Sequence, residues 1–451
     1  MKIFRFFKIA TLLSFIFLAW SCDDDGEGIN ELEVYGFSIN QQPLTDGITN
    51  IPVNGNIEVS FSRVLNLDAV KNAITLTGNE ATYDLALTNA GSKALITYSG
   101  LAPSTQYTLE IDRSPITVRG LSLEQPFSIS FTTAASAGDK TPCTAGTASC
   151  LQTMTVAGTP GATFSFYSTY DIIDDTQYVY EDITRAIIVV HGQERNADAY
   201  FKYMSDAVAG SGTLQNTLVI SPFFKDEAGA GGDDLYWSTD WREGGNSSNT
   251  GTAISSFTII DQLVGHLAQA NIFPALKEVM IAGHSSGAMF AQHYGISNKV
   301  ENTHPELDFS YVVANNQYFY YPDGQRYDEG TGQFYTPTDC AGYTYWPYGY
   351  EFAPAYLDGM TAVEITGQQV ARKTIYLLGT NDTETSGTLN TTDCAATLLG
   401  SDRYHRGLNM FAYFETFYTS QHNHAKVEVP GVGHDAQKMF NSDEFLGLLT
   451  E

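Results

Sequence analysis

The chain has 451 residues, 51 acidic against 23 basic side chains, a formal net charge of -28, and 43% hydrophobic residues. The length is that of two or three domains, and the apolar fraction supports a sizeable core and excludes wholesale disorder. A surface this acidic repels phosphate backbones, so no nucleic-acid partner is expected.

In chain order, residues 1–21 read as a signal peptide. Lys2, Arg5 and Lys8 give a positive start, and Ile9 to Ala19 is an apolar run too short to cross a bilayer as a helix. Ala19-Trp20-Ser21-Cys22 resembles a lipoprotein cleavage site, although Trp20 is bulky and Ala19 stands where leucine is commoner. The resemblance implies a lipid on Cys22 and membrane attachment through it; an ordinary signal peptide cut nearby is the alternative. Residues 22–31 form an acidic tether. Its run Asp23-Asp24-Asp25-Gly26-Glu27 resembles the export signal of surface lipoproteins in the Bacteroidetes. This implies an outer-membrane lipoprotein at the cell surface, with the periplasmic face as the alternative.

Residues 32–133 read as all-β. Alternating runs such as Ile57-Glu58-Val59-Ser60-Phe61 and Tyr107-Thr108-Leu109-Glu110-Ile111 are separated by turn formers such as Ala102-Pro103-Ser104, the pattern of a β-sandwich. Gly100 to Tyr107, with the final run Phe127 to Thr133, resembles bacterial Ig-like domains on exported enzymes. Residues 134–140 are small and polar and read as a linker. Four cysteines follow, Cys143, Cys150, Cys340 and Cys394. An even number in an exported chain favours disulfides, and the pairing expected is Cys143 with Cys150 and Cys340 with Cys394. No Cys-x-x-Cys spacing occurs, so neither a zinc ribbon nor a redox motif is expected, and no carboxylate or cysteine near His422 and His424 completes a metal site.

From 141 to 451 strands alternate with helical segments. Ala186 to Val190, Leu218 to Ser221, Val279 to Ala282, Tyr311 to Ala314, Thr374 to Leu378 and Lys426 to Val429 are apolar enough to be core strands. Ile254, Phe257, Ile260, Val264 and Leu267 recur at helical spacing between the second and third. This predicts a mostly parallel sheet with covering helices.

The third of these strands runs into Gly283-His284-Ser285-Ser286-Gly287, and Ala288 to Tyr294 continues as a helix. A G-x-S-x-G string between strand and helix is the pattern of a sharp turn that exposes a nucleophilic serine, and small neighbours allow that backbone. The competing reading is a tight Gly/Ser turn without chemistry. A serine hydroxyl needs a base, and His434 falls in a loop after the last strand, in Val429-Pro430-Gly431-Val432-Gly433-His434-Asp435. His422 and His424 lie upstream of that strand and read as a surface turn. The base needs an acid, and Asp382 ends the short loop after Thr374 to Leu378; Glu384 and Asp393 compete but lie farther from the strand end. An oxyanion needs fixed donors. The expected ones are the backbone N–H groups of Ser286 and of Gln193, the latter in His191-Gly192-Gln193 directly after a strand.

With these strings in place, residues 141–451 resemble the α/β-hydrolase superfamily. His191-Gly192-x-x-Arg195-Asn196-Ala197-Asp198, Leu235-Tyr236-Trp237-Ser238 and the elbow and histidine strings resemble a branch of secreted hydrolases. The fold class expected is therefore an α/β hydrolase preceded by a small Ig-like sandwich. The resemblance implies a triad of Ser285, Asp382 and His434, acyl transfer through an ester on Ser285, and no cofactor. Residues 317 to 352 are rich in Tyr, Phe and Trp and read either as a substrate-shaping cap or as a loop with its own small core. Candidate pocket residues are His191, Trp237, Trp241, His284, Tyr318 and Trp346. The function expected is a serine esterase, with a small-molecule ester or an acylated carbohydrate as substrate. A peptidase or amidase on the same triad, or a non-catalytic surface adhesin, are the alternatives.

Overall fold

The computed structural model describes residues 31–450 except 41, 80, 139, 174–177, 250 and 252. The expected signal peptide, Cys22 and the tether up to residue 30 lie outside the described residues.

The first domain is a sandwich of two sheets. One contains β1 (Val34–Ile39), β3 (Gly55–Phe61), β5 (Tyr83–Thr88) and β6 (Lys93–Tyr98), in the order β1-β3-β6-β5 with a two-residue edge strand beside β1. The other contains β2 (Ile48–Ile51), β4 (Ile74–Thr77), β7 (Gln106–Ile111) and β8 (Phe127–Thr133), in the order β2-β8-β7-β4. Period-two alternation drives the packing. In β3, Ile57, Val59 and Phe61 are buried while Glu58 and Ser60 point outward. Val59 meets Ile96, Tyr107, Leu109 and Phe131 in one core.

The expected linker is ordered at its start. Ala135–Ser136 pairs with Tyr178–Val179 of the second domain, Ala134 and Val179 join the first domain's core, and Ala137 joins the second's. The stretch that reads as a linker in sequence therefore contributes to both cores at Ala134 and Ala137.

The second domain is built on an eight-stranded sheet. Its strands are β9 (Leu151–Thr155), β10 (Thr163–Ser168), β11 (Arg185–Val190), β12 (Thr217–Pro222), β13 (Glu278–His284), β14 (Asp308–Ala314), β15 (Thr374–Gly379) and β16 (His424–Val429). The spatial order is β9-β10-β12-β11-β13-β14-β15-β16. β9 and β10 run antiparallel to their neighbours, and β11 to β16 are parallel. β9 and β10 are absent from the strands expected from sequence, because Leu-Gln-Thr-Met-Thr is only half apolar and lies at an edge. β11 reads Arg-Ala-Ile-Ile-Val-Val and is buried beyond its first residue, as a parallel strand covered on both faces must be.

Helices cover the sheet. They include α1 (Ala197–Gly210), α2 (Ser256–Leu267), α3 (Ser286–Ser297), α4 (Ala362–Ala371) and α5 (Arg403–Phe417). The Ser255 hydroxyl caps α2 by accepting from the Phe257 amide at 3.1 Å. α3 is buried along its whole length, and its small residues permit this: a Cβ on Gly295 would lie 3.0 Å from the Tyr311 ring. Two disulfides join Cys143 to Cys150 and Cys340 to Cys394, with Cα separations of 5.5 and 5.8 Å.

The aromatic stretch between β14 and α4 packs into the second domain's core: Phe319 and Tyr321 share a cluster with Val313, Tyr376, Leu378 and Met410, and Tyr320 shares one with Ile296 and Ile365. Phe319, Tyr320 and Tyr321 are fully buried. The buried Arg326 guanidinium donates to the carbonyls of Asp323, Gln325, Tyr343 and Tyr348 and lies over the rings of Tyr321 and Tyr343. Most of the other rings of the stretch are partly exposed, and Tyr335, Tyr345 and Phe352 are exposed.

Candidate active site

Ser285 sits between β13 and α3 with φ 58° and ψ -119°, backbone that a side chain adopts only under constraint. The two motif glycines explain the constraint. A Cβ on Gly283 would come within 2.0 Å of the Gly287 carbonyl oxygen, and a Cβ on Gly287 within 2.0 Å of that of Val190 and 2.7 Å of that of His191. The Ser285 amide donates to the Ala314 carbonyl at 3.0 Å, which ties the turn to β14. The same close approach sets the loop carrying Gln193 against the helix N-terminus carrying Ser286. That loop is closed by the Arg195 amide donating to Gly192 at 3.1 Å.

Three distant segments meet at the elbow. The His434 Nε2 lies 3.0 Å from the Ser285 hydroxyl, and its Nδ1 lies 2.7 Å from Asp382 Oδ2. A carboxylate can only accept, so Nδ1 carries the proton and Nε2 is left to accept from the serine. Hydroxyl, imidazole and carboxylate in this order can move a proton off the hydroxyl. Asp382 is 1% exposed. Its second oxygen has no hydrogen bond and faces the Arg403 Nη1 at 3.8 Å, a buried charge contact that offsets part of the cost of desolvation. The competing acids, Glu384 and Asp393, are not brought to His434; Asp393 accepts from the Asn390 side chain at 2.7 Å.

The histidine loop is held by polar contacts that the sequence pattern does not signal. Asn315, at the end of β14, donates to the Gly433 carbonyl at 3.0 Å and accepts from the Gly379 amide at 2.8 Å, so one buried side chain links the loops of both triad partners. The Gly431 amide donates to the Thr380 hydroxyl at 2.9 Å. On α5, Arg406 donates to the carbonyls of Gly400, Gln317 and Asn390 and braces the loop beyond Asp382. In sequence Asn315 is simply not a carboxylate, and the arginines fall on a helix with no motif.

Several expected pocket residues are instead supports. His191 is fully buried, bonded through Nδ1 to the Gly192 carbonyl at 2.9 Å and through Nε2 to the Phe224 amide at 3.2 Å. Burial lowers its pKa to about 4, so it stays neutral. Trp237 is also fully buried and donates to the Gly245 carbonyl at 3.0 Å. Both rings are instead taken up in the aromatic packing around Phe224 beneath the loop that carries Gln193. Trp241 packs in that core too, 4.6 Å from the His191 ring. His284 is buried against the His434 ring at 4.5 Å, and burial together with that neighbour depresses its pKa well below the usual range. Trp346 is half-buried and donates to the Glu243 carbonyl at 2.9 Å. Tyr318 is half-buried, with its ring centre 5.6 Å from the Arg242 guanidinium. His424 is buried between the Tyr376 hydroxyl and the Gln369 carbonyl, and among the described residues no group of His, Cys, Asp and Glu is arranged to hold a metal ion.

The sheet order, the antiparallel first pair and the elbow after β13 define an α/β-hydrolase fold preceded by an Ig-like sandwich. Residues 37–133 match the bacterial Ig-like domain family (Big_5). Among solved structures, the chain is similar to LpqC, a poly(3-hydroxybutyrate) depolymerase from Bordetella parapertussis. The TM-score is 0.47 and the identity 18%, covering 67% of this chain and 89% of that one. It is also similar to poly(aspartic acid) hydrolase-1 from Sphingomonas sp. KT-1, with TM-score 0.44 and 18% identity, covering 67% and 98%. A third is the S-formylglutathione hydrolase FrmB from Staphylococcus aureus, with TM-score 0.35 and 14% identity, covering 63% and 92%. No curated protein matches the chain.

Proposed function

We propose that this protein is an exported carboxylic-ester hydrolase that works through an acyl-enzyme on Ser285. The observation that carries the reading is the unbroken contact series from Ser285 through His434 to the buried Asp382. In this account His434 Nε2 takes the Ser285 proton as Oγ attacks the ester carbonyl. The N–H groups of Ser286 and Gln193 hold the oxyanion, and Asp382 stabilises the imidazolium. Collapse breaks the bond to the alkoxy oxygen, which leaves as the alcohol with the proton from His434. Water then repeats the sequence on the acyl-enzyme and releases the carboxylic acid.

Within the aromatic stretch Phe319, Tyr320 and Tyr321 are buried and cannot stack on a substrate, which leaves the partly exposed rings, Tyr318 and Trp346 among them, to carry the acylated-carbohydrate reading. Export and a lipid on Cys22 rest on the targeting segment; metabolic labelling with palmitate that Cys22→Ala abolishes is the expected result. The activity is tested with 4-nitrophenyl esters of graded chain length beside Ser285→Ala. Hydrolysis that the substitution abolishes supports the reading, and a folded protein inert towards every ester contradicts it.

A further inference from the structure

Arg242 is not accounted for by the reaction above. It lies in a short turn, Trp241–Glu243, that packs on the N-terminal half of α3. Its Nη1 donates to the Ser286 hydroxyl at 3.2 Å, one residue from the nucleophile. Its guanidinium lies 5.6 Å from the centre of the Tyr318 ring, and its side chain is 29% exposed. The carboxylate beside it, Glu243, contacts Nε at 3.5 Å, a loose pairing on the edge of the guanidinium away from Nη1. Burial pushes the Glu243 carboxyl up, which weakens it as a counter-ion.

A second arginine also lies at the site. Arg403, whose charge acts on the Tyr318 hydroxyl, faces Asp382 at 3.8 Å and donates to the Thr388 hydroxyl at 2.9 Å. Tyr318 is thus within electrostatic reach of both arginines, one bonded to the Ser286 hydroxyl and the other facing Asp382. Arg403 is 3% exposed and engaged with the triad acid, whereas Arg242 keeps an open face. An arginine beside a reacting serine places a local positive charge at the site, in a chain whose net charge is -28. Screening within about 10 Å at ordinary ionic strength lets the near charge dominate inside the site. A planar guanidinium matches a carboxylate with two parallel hydrogen bonds.

We propose that Arg242 forms an anion subsite beside Ser285, so that the preferred ester carries a carboxylate close to the scissile carbonyl. This rests on the ester-hydrolase reading and names its substrate class.

The test uses two matched pairs of esters. Mono-4-nitrophenyl adipate against 4-nitrophenyl hexanoate places the carboxylate on the acyl side; 3-acetoxybenzoate against 3-methylphenyl acetate places it on the alcohol side. The expected result is a kcat/KM preference of about tenfold to a hundredfold for the carboxylate in at least one pair, the range of a charge-assisted hydrogen bond. The preference should fall towards one in Arg242→Met and survive in part in Arg242→Lys. In the wild type it should also shrink as ionic strength rises from about 0.01 M to about 0.5 M, a readout that needs no variant to fold. Hydrolysis of all four esters without preference overturns the subsite and leaves the esterase reading standing. So does a preference that neither salt nor Arg242→Met reduces. Turnover of none of the four contradicts both.

Discussion

The imidazole of His434 and the carboxylate of Asp382 meet at 2.7 Å, with the acid 1% exposed and the base 27% exposed at the side chain. The two residues are 52 positions apart and come from the loops after neighbouring parallel strands. The buried carboxylate fixes which imidazole nitrogen carries the proton, so the other faces Ser285 as an acceptor. Asp382→Asn should leave the fold intact and lower kcat on a 4-nitrophenyl ester by roughly 10³–10⁴-fold, because a neutral amide permits the wrong tautomer. Steady-state kinetics with a melting curve on the same sample checks this.

The elbow glycines are steric requirements. Gly287→Ala would set a Cβ 2.0 Å from the Val190 carbonyl oxygen and 2.7 Å from that of His191, both backbone atoms at the end of a central strand. The expected cost is about 3 kcal/mol or more, with loss of esterase activity. Gly265 is the control: it is exposed in α2, and a Cβ added there would meet nothing within 4 Å. Gly265→Ala should raise stability by up to about 1 kcal/mol. Thermal unfolding of the pair separates a steric effect from a general intolerance of substitution.

Much of this was legible in the sequence, and the reasons are physical. A strand, a G-x-S-x-G turn and a helix are local features, and so are the loops that carry Asp382 and His434 after apolar strands. The supports were not legible. Asn315 bridges two loops only because β14 lies beside β15, and Arg242 and Arg403 reach the site from a turn and a helix that carry no signature. His191 and Trp237 sit in the expected strings but serve packing, since burial is decided by neighbours remote in the chain. The aromatic stretch shows the same limit: its composition fits a substrate cap and a buried core equally well, and only the fold shows Phe319, Tyr320 and Tyr321 buried against the sheet and its helices while most of the other rings stay partly exposed.

The disulfides should differ in weight. Cys340–Cys394 closes a separation of 54 residues and Cys143–Cys150 one of 7. On chain entropy alone the first contributes about 4 kcal/mol and the second about 2 kcal/mol. Cys340–Cys394 also joins the aromatic segment to the chain just beyond the Asp382 loop. The double alanine variant at 340 and 394 should therefore melt lower than the one at 143 and 150 and lose more activity before unfolding. Paired melting and activity curves test both parts.

Asp261 on α2 is half-buried and accepts from the hydroxyls of Tyr294 and Tyr356 at 2.9 and 2.8 Å. Burial raises its carboxyl to about 6, against an ordinary value of 3.8. The folded state thus holds the proton more tightly than the unfolded chain. Its stabilising contribution is full below about pH 4 and is lost as pH rises through about 6, by up to about 3 kcal/mol. Asp261→Asn removes the titration while keeping an acceptor for a tyrosine. The melting temperature of the variant minus that of the wild type should therefore be more positive at pH 8 than at pH 4, and an unchanged difference would contradict the assignment.

The central claim is that Ser285 is an activated nucleophile, and covalent labelling reads this without knowledge of the substrate. A fluorophosphonate probe should modify the protein at one site, mapped by peptide mass to Ser285. Labelling should vanish in Ser285→Ala and fall steeply in His434→Ala while both variants stay folded. A folded wild-type protein that does not label, or that labels equally well without His434, would contradict the account.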